Sequence, residues 1–362
     1  MTTTLELVLV GFGHVGQRFV ALLDEQRARL AHDFGIATRI VGIVTRRHGR
    51  AHATRGLDAT ALAERARGGD PIGRGGEGSS SDFVREMARA GRAADERRLV
   101  VVETTTLDVE NGEPAIDHVR TALASGAHVV TANKGPTAFA YQALAKAAVR
   151  AQRRFLFEGA VMDGVPIFNL VRETMPAVNL IGFRGVVNST TNYMLTAMES
   201  GQAFGHALAE MQAMGIAEAD ASLDVDGWDA AAKTAALANV LLGASLTPHT
   251  VEREGITTST GLRAVTARKH SRRVKLVARA AREGDRVTAR VAPEELPDDD
   301  LLAGLEGQQN ALVLHTDLLG EVAIVQRGGG LTQTAYALLS DLVTIGREIT
   351  SQPPAAARKA RR

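Results

Sequence analysis

LELVLVGFGHVGQRFVALLDEQ, residues 5–26, decides the first half of the fold. Leu5 to Val10 is an apolar run interrupted only by Glu6, the length of a buried strand. The run breaks at Gly11-Phe12-Gly13-His14-Val15-Gly16, after which Val15, Phe19, Val20 and Leu23 recur at helical spacing. A strand, a Gly-x-Gly-x-x-Gly turn and a helix in that order predict a dinucleotide-binding unit. The first glycine permits the tight turn, the second lets the backbone approach a pyrophosphate, and the third lets the helix pack on the strand. Amides at the helix start then face the anion. Gly11, Phe12, Gly13, His14, Val15 and Gly16 are therefore candidate cofactor contacts, through their backbone.

Outward from this unit, ATRIVGIVT (37–45) reads as a second strand and ends on Arg46, Arg47 and His48. A site that reads a ribose 2′-hydroxyl places Asp or Glu at that strand end. A basic end predicts a 2′-phosphate instead, hence NADP(H) over NAD(H), with a solvated basic turn as the alternative. RARGGDPIGRGGEGSSSD (65–82) is rich in glycine and serine without apolar periodicity, and reads as a mobile surface loop. RLVVVETTTL (98–107) and GAHVVTANKGPTA (126–138) read as two more buried strands. In open parallel sheets ligands sit beyond the strand carboxyl ends, which places Thr105 and Lys134 at the cofactor and substrate crevice.

Composition sets the bounds. A chain of 362 residues, 45% hydrophobic, is long enough for a full core and for two domains. Its formal net charge of +1 gives no electrostatic ground for a nucleic acid or membrane partner. The start MTTTLELVLVGFG has no basic flank, and no apolar run approaches the ~18 residues of a membrane span, so a cytoplasmic protein is expected. Zero cysteine removes disulfides, thiolate metal sites and every dehydrogenase that acylates its own thiol. His14 and His48 stand alone, without the spacing of a metal site. Of the 42 basic residues only Lys134, Lys146, Lys233, Lys269, Lys275 and Lys359 are lysine, so each is a position where a compact ammonium with a movable proton is worth considering.

AEADASLDVDGWDAAAK (217–233) is the second informative stretch. With a helix starting near Asp226, Asp229 and Lys233 stand at i and i+4 on one face, while Glu218 and Asp224 lie on the loop before it. Such loop acids suit a substrate ammonium, and a helical lysine suits a reacting oxygen. The plainer alternative is an acidic first turn with a surface ion pair. Two lysines near one anionic substrate are also expected to lower each other's pKa.

Seven blocks in collinear order, GFGHVG, ETTT, TANKGP, FEGAVMDGVPIF, GVVNSTTNYML, AEADASLDVDGWDAAAK and RGGGLTQTAYALLSDL, resemble homoserine dehydrogenase over nearly the whole chain. The resemblance implies NAD(P)-dependent reduction of L-aspartate 4-semialdehyde to L-homoserine, on the route to threonine, methionine and isoleucine. It makes Lys134 and Lys233 the active-site lysines, with Asp229 beside Lys233, and makes Glu218, Asp224 and Thr190 substrate contacts. It matches Gly330 to a glycine near the cofactor, so that the last helix returns to the nucleotide domain. Glu158, Val161, Asp163 and Val165 match positions that in some members hold a sodium ion, largely through main-chain oxygens. Two departures stand out: Ser189 and the pair Met162-Asp163 occupy positions where the family usually has glycine. The chain ends shortly after the last block, which implies a short form without the ACT-type regulatory domain or the aspartate kinase fusion of some relatives.

The expected fold is α/β, with a Rossmann-type dinucleotide-binding domain over 1–150, completed by a helix over 331–350. An α+β substrate-binding and dimerisation domain follows over 151–330, with a disordered tail over 351–362. The apolar runs LIGFRGVVN (180–188) and NALVLHT (310–316) are too few to bury both faces of a sheet, and the family pairs such sheets, so a homodimer or a dimer of dimers is expected. The alternatives are another NADP-linked amino-acid or semialdehyde dehydrogenase, or a nucleotide-sensing protein that has lost turnover. Intact Lys134, Asp229 and Lys233 speak against the latter.

Overall fold

In the computed structural model, residues 2–73, 78–91, 98–213 and 221–351 are described. The first sheet holds β1 (Thr3–Val10), β2 (Ile36–Val44), β3 (Arg50–His52), β4 (Leu99–Glu103), β5 (His128–Thr131) and β6 (Phe155–Leu156), in the order β3-β2-β1-β4-β5-β6. All neighbours are parallel except β3, a short antiparallel edge strand on β2. The order is that of a doubly wound nucleotide fold, and strands covered on both faces explain why β4 is buried at every residue. The sheet runs past the residue 150 boundary, because Phe155 and Leu156 pair with Val129 and Val130.

One face is covered by α4 (Ser80–Gly91), α5 (Ala115–Ala124) and α6 (Gly135–Ala151), in a core with Val8, Val101, Val129 and Phe83. The other is covered by α1 (His14–Glu25), α2 (Arg27–Phe34), α3 (Ala59–Arg67) and the last helix, α13 (Leu331–Ser351). Leu338, Leu342 and Ile345 of α13 share that core with Leu5, Leu7, Leu9 and Phe19. The chain thus crosses to the second half and returns. The stretch 65–82 is less loop than its composition suggests: α3 continues to Arg67 and α4 begins at Ser80, where Asp82 accepts from the Ser79 amide (2.9 Å) as a local cap. Residues 74–77 of that stretch, and residues 352–362 of the expected tail, lie outside the described residues.

The second sheet has the order β12-β11-β7-β9-β10-β8, built from β7 (Leu180–Val186), β8 (Glu252–Arg253), β9 (Arg272–Glu283), β10 (Arg286–Pro297), β11 (Asn310–Thr316) and β12 (Glu321–Gln326). Its helices are α7 (Phe168–Thr174), α8 (Ser189–Glu199), α9 (Phe204–Ala213), α10 (Ser222–Val225), α11 (Trp228–Leu241) and α12 (Thr258–Arg268). Phe183, Val274, Leu276, Leu312 and Leu314 pack with Met194, Leu195 and Ala235 in a core continuous with the α5–α6 face of the first sheet. The opposite face is covered only at one end, by Leu302, Ala303 and Leu305. No helix among the described residues is long and apolar enough to cross a membrane.

Candidate active site

The glycine turn is shaped for a pyrophosphate. Gly11 has φ +93°, and a Cβ there would lie 2.7 Å from the Thr104 carbonyl carbon, so a side chain is excluded both by conformation and by space. A Cβ at Gly13 would meet nothing within 4 Å, and Gly13 gives α1 no side-chain cap. The first turn of α1 also carries no acid. Its amides are therefore open to an anion, and the residues present fit a dinucleotide. Phe12 is core and only 3% exposed, so its contact is through the backbone. Thr104 donates to the Gly11 carbonyl (3.1 Å) and fixes the turn against β4. Arg46 and Arg47 are exposed just past β2, whose Val44 carbonyl accepts from the Gly11 amide (2.9 Å), so the pair emerges beside the turn.

A cavity of about 220 Å³ joins this turn to the lysines. Val15, Thr104, Thr105, Ala132 and Lys134 line it from the nucleotide side, and Gly159, Ala160, Met162, Asp163, Lys233 and Thr334 from the other. Thr105 and Asn133 hold the strand ends: the Thr105 amide donates to Glu103 (3.0 Å) and the Asn133 amide group donates to the Thr105 carbonyl (3.0 Å). Thr334 comes from the first turn of α13, its amide bonded to the Gly330 carbonyl (3.1 Å), which brings Gly330 to the same cavity wall.

At the cavity floor both lysines meet one carboxylate. Lys233 Nζ lies 2.8 Å from Asp229 Oδ2 and Lys134 Nζ 3.3 Å from Asp229 Oδ1. Lys233 also donates to the Val187 carbonyl (2.7 Å). The i and i+4 pairing on one helix is as expected, but α11 starts at Trp228, behind a left-handed Gly227, and not at Asp226. Asp224 is not on a loop; it sits in the single-turn helix α10, and Glu218 and Asp220 lie outside the described residues. Asn188 was not among the residues singled out from sequence. Its Oδ1 caps α8 through the Thr191 amide (2.8 Å), while its Nδ2 donates to both Asp224 (2.7 Å) and Asp229 (2.8 Å). The Thr190 hydroxyl donates to Asp224 as well.

Burial works against the Asp229 charge, yet Lys233 and then Lys134 outweigh it and hold the carboxyl far below the usual range. Burial likewise disfavours the Lys233 ammonium, but Asp229 and then Asp163 outweigh it, and the pKa rises. For Lys233 the expected lowering is not found: a carboxylate stands between it and Lys134, and attraction to Asp229 prevails. Asp224 is raised by burial and by Asp229, against the bond from Asn188. Of the six lysines, the described cavity takes only Lys134 and Lys233. Lys275 is fully buried, bonded to Asn192 (3.0 Å), and pushed down to about 8 by burial and by Arg273, away from the cavity.

The side chains at the matched sodium positions, Glu158 and Asp163, turn in different directions. The Glu158 carboxylate accepts from the Phe168 (2.8 Å) and Asn169 (2.7 Å) amides, capping α7. The Val165 carbonyl already accepts from the Ile167 amide (2.8 Å), and Asp163 turns into the cavity toward the lysines. Among the described residues no group of three His, Cys, Asp or Glu could hold a metal. Of the two departures from glycine, Ser189 has ordinary backbone angles and accepts from Asn310 (2.8 Å). Met162 (φ 50°) and Asp163 (φ 46°) do adopt the left-handed region.

Asp341 of α13 closes the site from behind. Its carboxylate accepts from the Glu158 amide (2.9 Å) and the Asn169 side chain (3.3 Å), and burial, then Glu158, push it up to about 7. From roughly pH 4 to that value the folded chain keeps a proton that the unfolded chain has released, so stability falls as pH rises through this window and levels off above it. Asp341→Asn is expected to flatten the decline of Tm between about pH 4 and about pH 7. An equal decline in parent and variant would remove Asp341 as its source.

Residues 166–343 match the family model described as homoserine dehydrogenase, and residues 11–158 match that described as homoserine dehydrogenase, NAD binding domain. A protein of Pseudomonas canavaninivorans called NAD(+)-dependent homoserine dehydrogenase is 36% identical, over 96% of this chain and 98% of its own. The homoserine dehydrogenase of Methanocaldococcus jannaschii is 35% identical, over 94% and 98%. The crystal structure of a putative homoserine dehydrogenase from Archaeoglobus fulgidus superposes with a TM-score of 0.81 at 30% identity, covering 94% of this chain and 99% of that one.

Proposed function

Because the chain belongs to the homoserine dehydrogenase family, we propose that Lys134, Asp229 and Lys233 form the acid–base centre for interconverting L-aspartate 4-semialdehyde and L-homoserine. One observation carries this reading: two ammoniums converge on one carboxylate at the floor of a cavity that opens to the glycine turn. A bound nicotinamide supplies the hydride for reduction or takes it up in oxidation. The chain's own residues handle the oxygen. An ammonium has three donors, and Lys233 spends two on Asp229 and the Val187 carbonyl. The third is left for the substrate oxygen, where it stabilises the developing alkoxide and delivers the proton. With its pKa raised, Lys233 rests in the charged form that reduction needs. Lys134 adds a second positive charge on the same oxygen or holds the substrate carboxylate, near which Thr190 stands, and Asp224 with Glu218 accepts the substrate ammonium. The reading is tested by following dinucleotide absorbance with the purified chain: semialdehyde-dependent oxidation of NADPH or NADH supports it, and turnover of other aldehydes but not this one contradicts it.

For the dinucleotide we assign preference to NADP(H), on Arg46 and Arg47 beside the Gly11 turn with no acid at the end of β2. The Pseudomonas relative carries NAD(+) in its name, which sets the opposite expectation. A charge-assisted contact to the additional phosphate contributes about 1.5–3 kcal/mol, tenfold or more in affinity. Binding of both cofactors to the native chain and to the double variant Arg46→Ala, Arg47→Ala decides it: equal native affinities, or no selective loss for NADP, would sink the assignment.

For assembly we infer a homodimer or a dimer of dimers. The second sheet is open on one face beyond Leu305, where Val325 is 45% and Ile181 46% exposed, and β12 ends it as an unpaired edge. A monomer with full activity in sedimentation at about micromolar concentration would contradict this.

A further inference from the structure

One carboxylate of the cavity touches neither lysine of the acid–base centre, although its charge helps to keep Lys233 protonated. Asp163 lines the cavity together with Val15, Thr105 and Lys233, and makes no hydrogen bond or ion pair among the described residues. Its backbone is held at φ 46°, ψ 38°, directly after Met162 at φ 50°. Two consecutive side-chain-bearing residues in the left-handed region are rare, and Asp tolerates it better than most. The opposite wall is cut back to admit this carboxylate, since a Cβ at Gly329 would lie 2.3 Å from Asp163 Oδ2. A strained turn and a glycine wall thus hold a carboxylate in the cavity that acts on Lys233 through space, without a hydrogen bond or ion pair among the described residues.

We propose that Asp163 is a specificity-determining residue for the redox state of the cofactor: its carboxylate favours the oxidised, cationic nicotinamide over the neutral reduced ring. The inference rests on the dehydrogenase reading. With the pyrophosphate at the glycine turn and the reacting oxygen at Lys233, the ring that exchanges hydride with the substrate carbon has to enter the cavity between them. Oxidised nicotinamide carries a formal positive charge and loses it on gaining a hydride, one proton with two electrons, from the alcohol carbon of homoserine. The charge inside the cavity therefore changes by one unit with each turnover. Lys134 and Lys233 place two ammoniums beside the ring, with Asp229 and Asp224 on their far side. Asp163 is the carboxylate that lines the cavity with them. Without this carboxylate the oxidised ring is less favoured, and the bound equilibrium tilts toward semialdehyde and reduced ring. With the carboxylate present, homoserine with oxidised ring is the favoured bound pair and aldehyde reduction on the protein is assisted, while the overall equilibrium in solution is unchanged.

The test is equilibrium binding of oxidised and reduced dinucleotide, without substrate, to the parent chain and to Asp163→Asn and Asp163→Gly. Asp163→Asn keeps the shape and removes the charge; Asp163→Gly also releases the left-handed backbone and guards against a folding artefact. In both, the affinity for the oxidised form relative to the reduced form is expected to fall about tenfold, the scale of a unit charge at close range in a partly screened cavity. An unchanged ratio in both variants overturns the proposal. So does an unchanged ratio accompanied by a raised KM for L-homoserine but not for 4-hydroxybutanoate, which would assign Asp163 to the substrate ammonium. Because no substrate is present, failure of the parent to turn over homoserine would strike the activity and leave this charge effect readable.

Discussion

Lys233→Ala is expected to lower kcat for aldehyde reduction by about 10²- to 10⁴-fold, the range of a lost general acid, while dinucleotide affinity stays within a few-fold. The expectation comes from the donor count at this ammonium: two N–H groups are fixed by Asp229 and the Val187 carbonyl, and the third is free for the substrate. Lys134→Ala is expected to fall in the same direction, since its ammonium shares the same carboxylate. Lys233→Arg does not rescue, because a guanidinium cannot give up a proton at working pH and its planar fork does not fit the three-point geometry. Near-parental kcat in Lys233→Ala would remove it from the mechanism.

Asp229→Asn is expected to have the next largest effect, and a different signature. It leaves two ammoniums facing each other without the carboxylate between them, so kcat falls through misplacement of both. It also removes the largest attraction that holds the Lys233 pKa up against burial. Homoserine oxidation needs Lys233 neutral to accept the hydroxyl proton, so in the parent its rate rises into the alkaline range. In Asp229→Asn the pKa of Lys233 falls, and the rising limb moves to lower pH. Rate profiles for oxidation in both proteins check this; a limb that stays in place, or moves up, contradicts the pairing.

Much of this was legible in the chain because the governing contacts are local. Gly11 to Gly16 announce their turn within six residues, and Asp229 and Lys233 need only one helical turn to meet. What sequence did not reveal depends on distance along the chain. Asn188 joins Asp224 and Asp229, 36 and 41 residues away, and its own local signal was that of an N-cap before Thr191. Asp341 reaches Glu158 across 183 residues, so its burial and raised pKa follow from where α13 docks and not from its neighbours in sequence. The Glu158 carboxylate takes the amides of Phe168 and Asn169, ten and eleven residues on, which no local pattern indicated. The Met162-Asp163 pair was noticed as a departure from glycine. That its backbone still adopts the glycine-like conformation, and directs a carboxylate at the lysines, required the three-dimensional arrangement.

The central claim is that this cavity moves a hydride between a nicotinamide and the C4 carbon of a four-carbon amino acid, with Lys233 handling the oxygen. Transfer of label tests it most directly: reduced dinucleotide deuterated on its transferable position is incubated with L-aspartate 4-semialdehyde and the native chain, and the amino-acid product is examined by mass spectrometry. The account predicts L-homoserine carrying one deuterium at C4, in step with the oxidised dinucleotide formed, and no such product with Lys233→Ala over the same time. Unlabelled homoserine, or labelled homoserine formed equally by the variant, would contradict it.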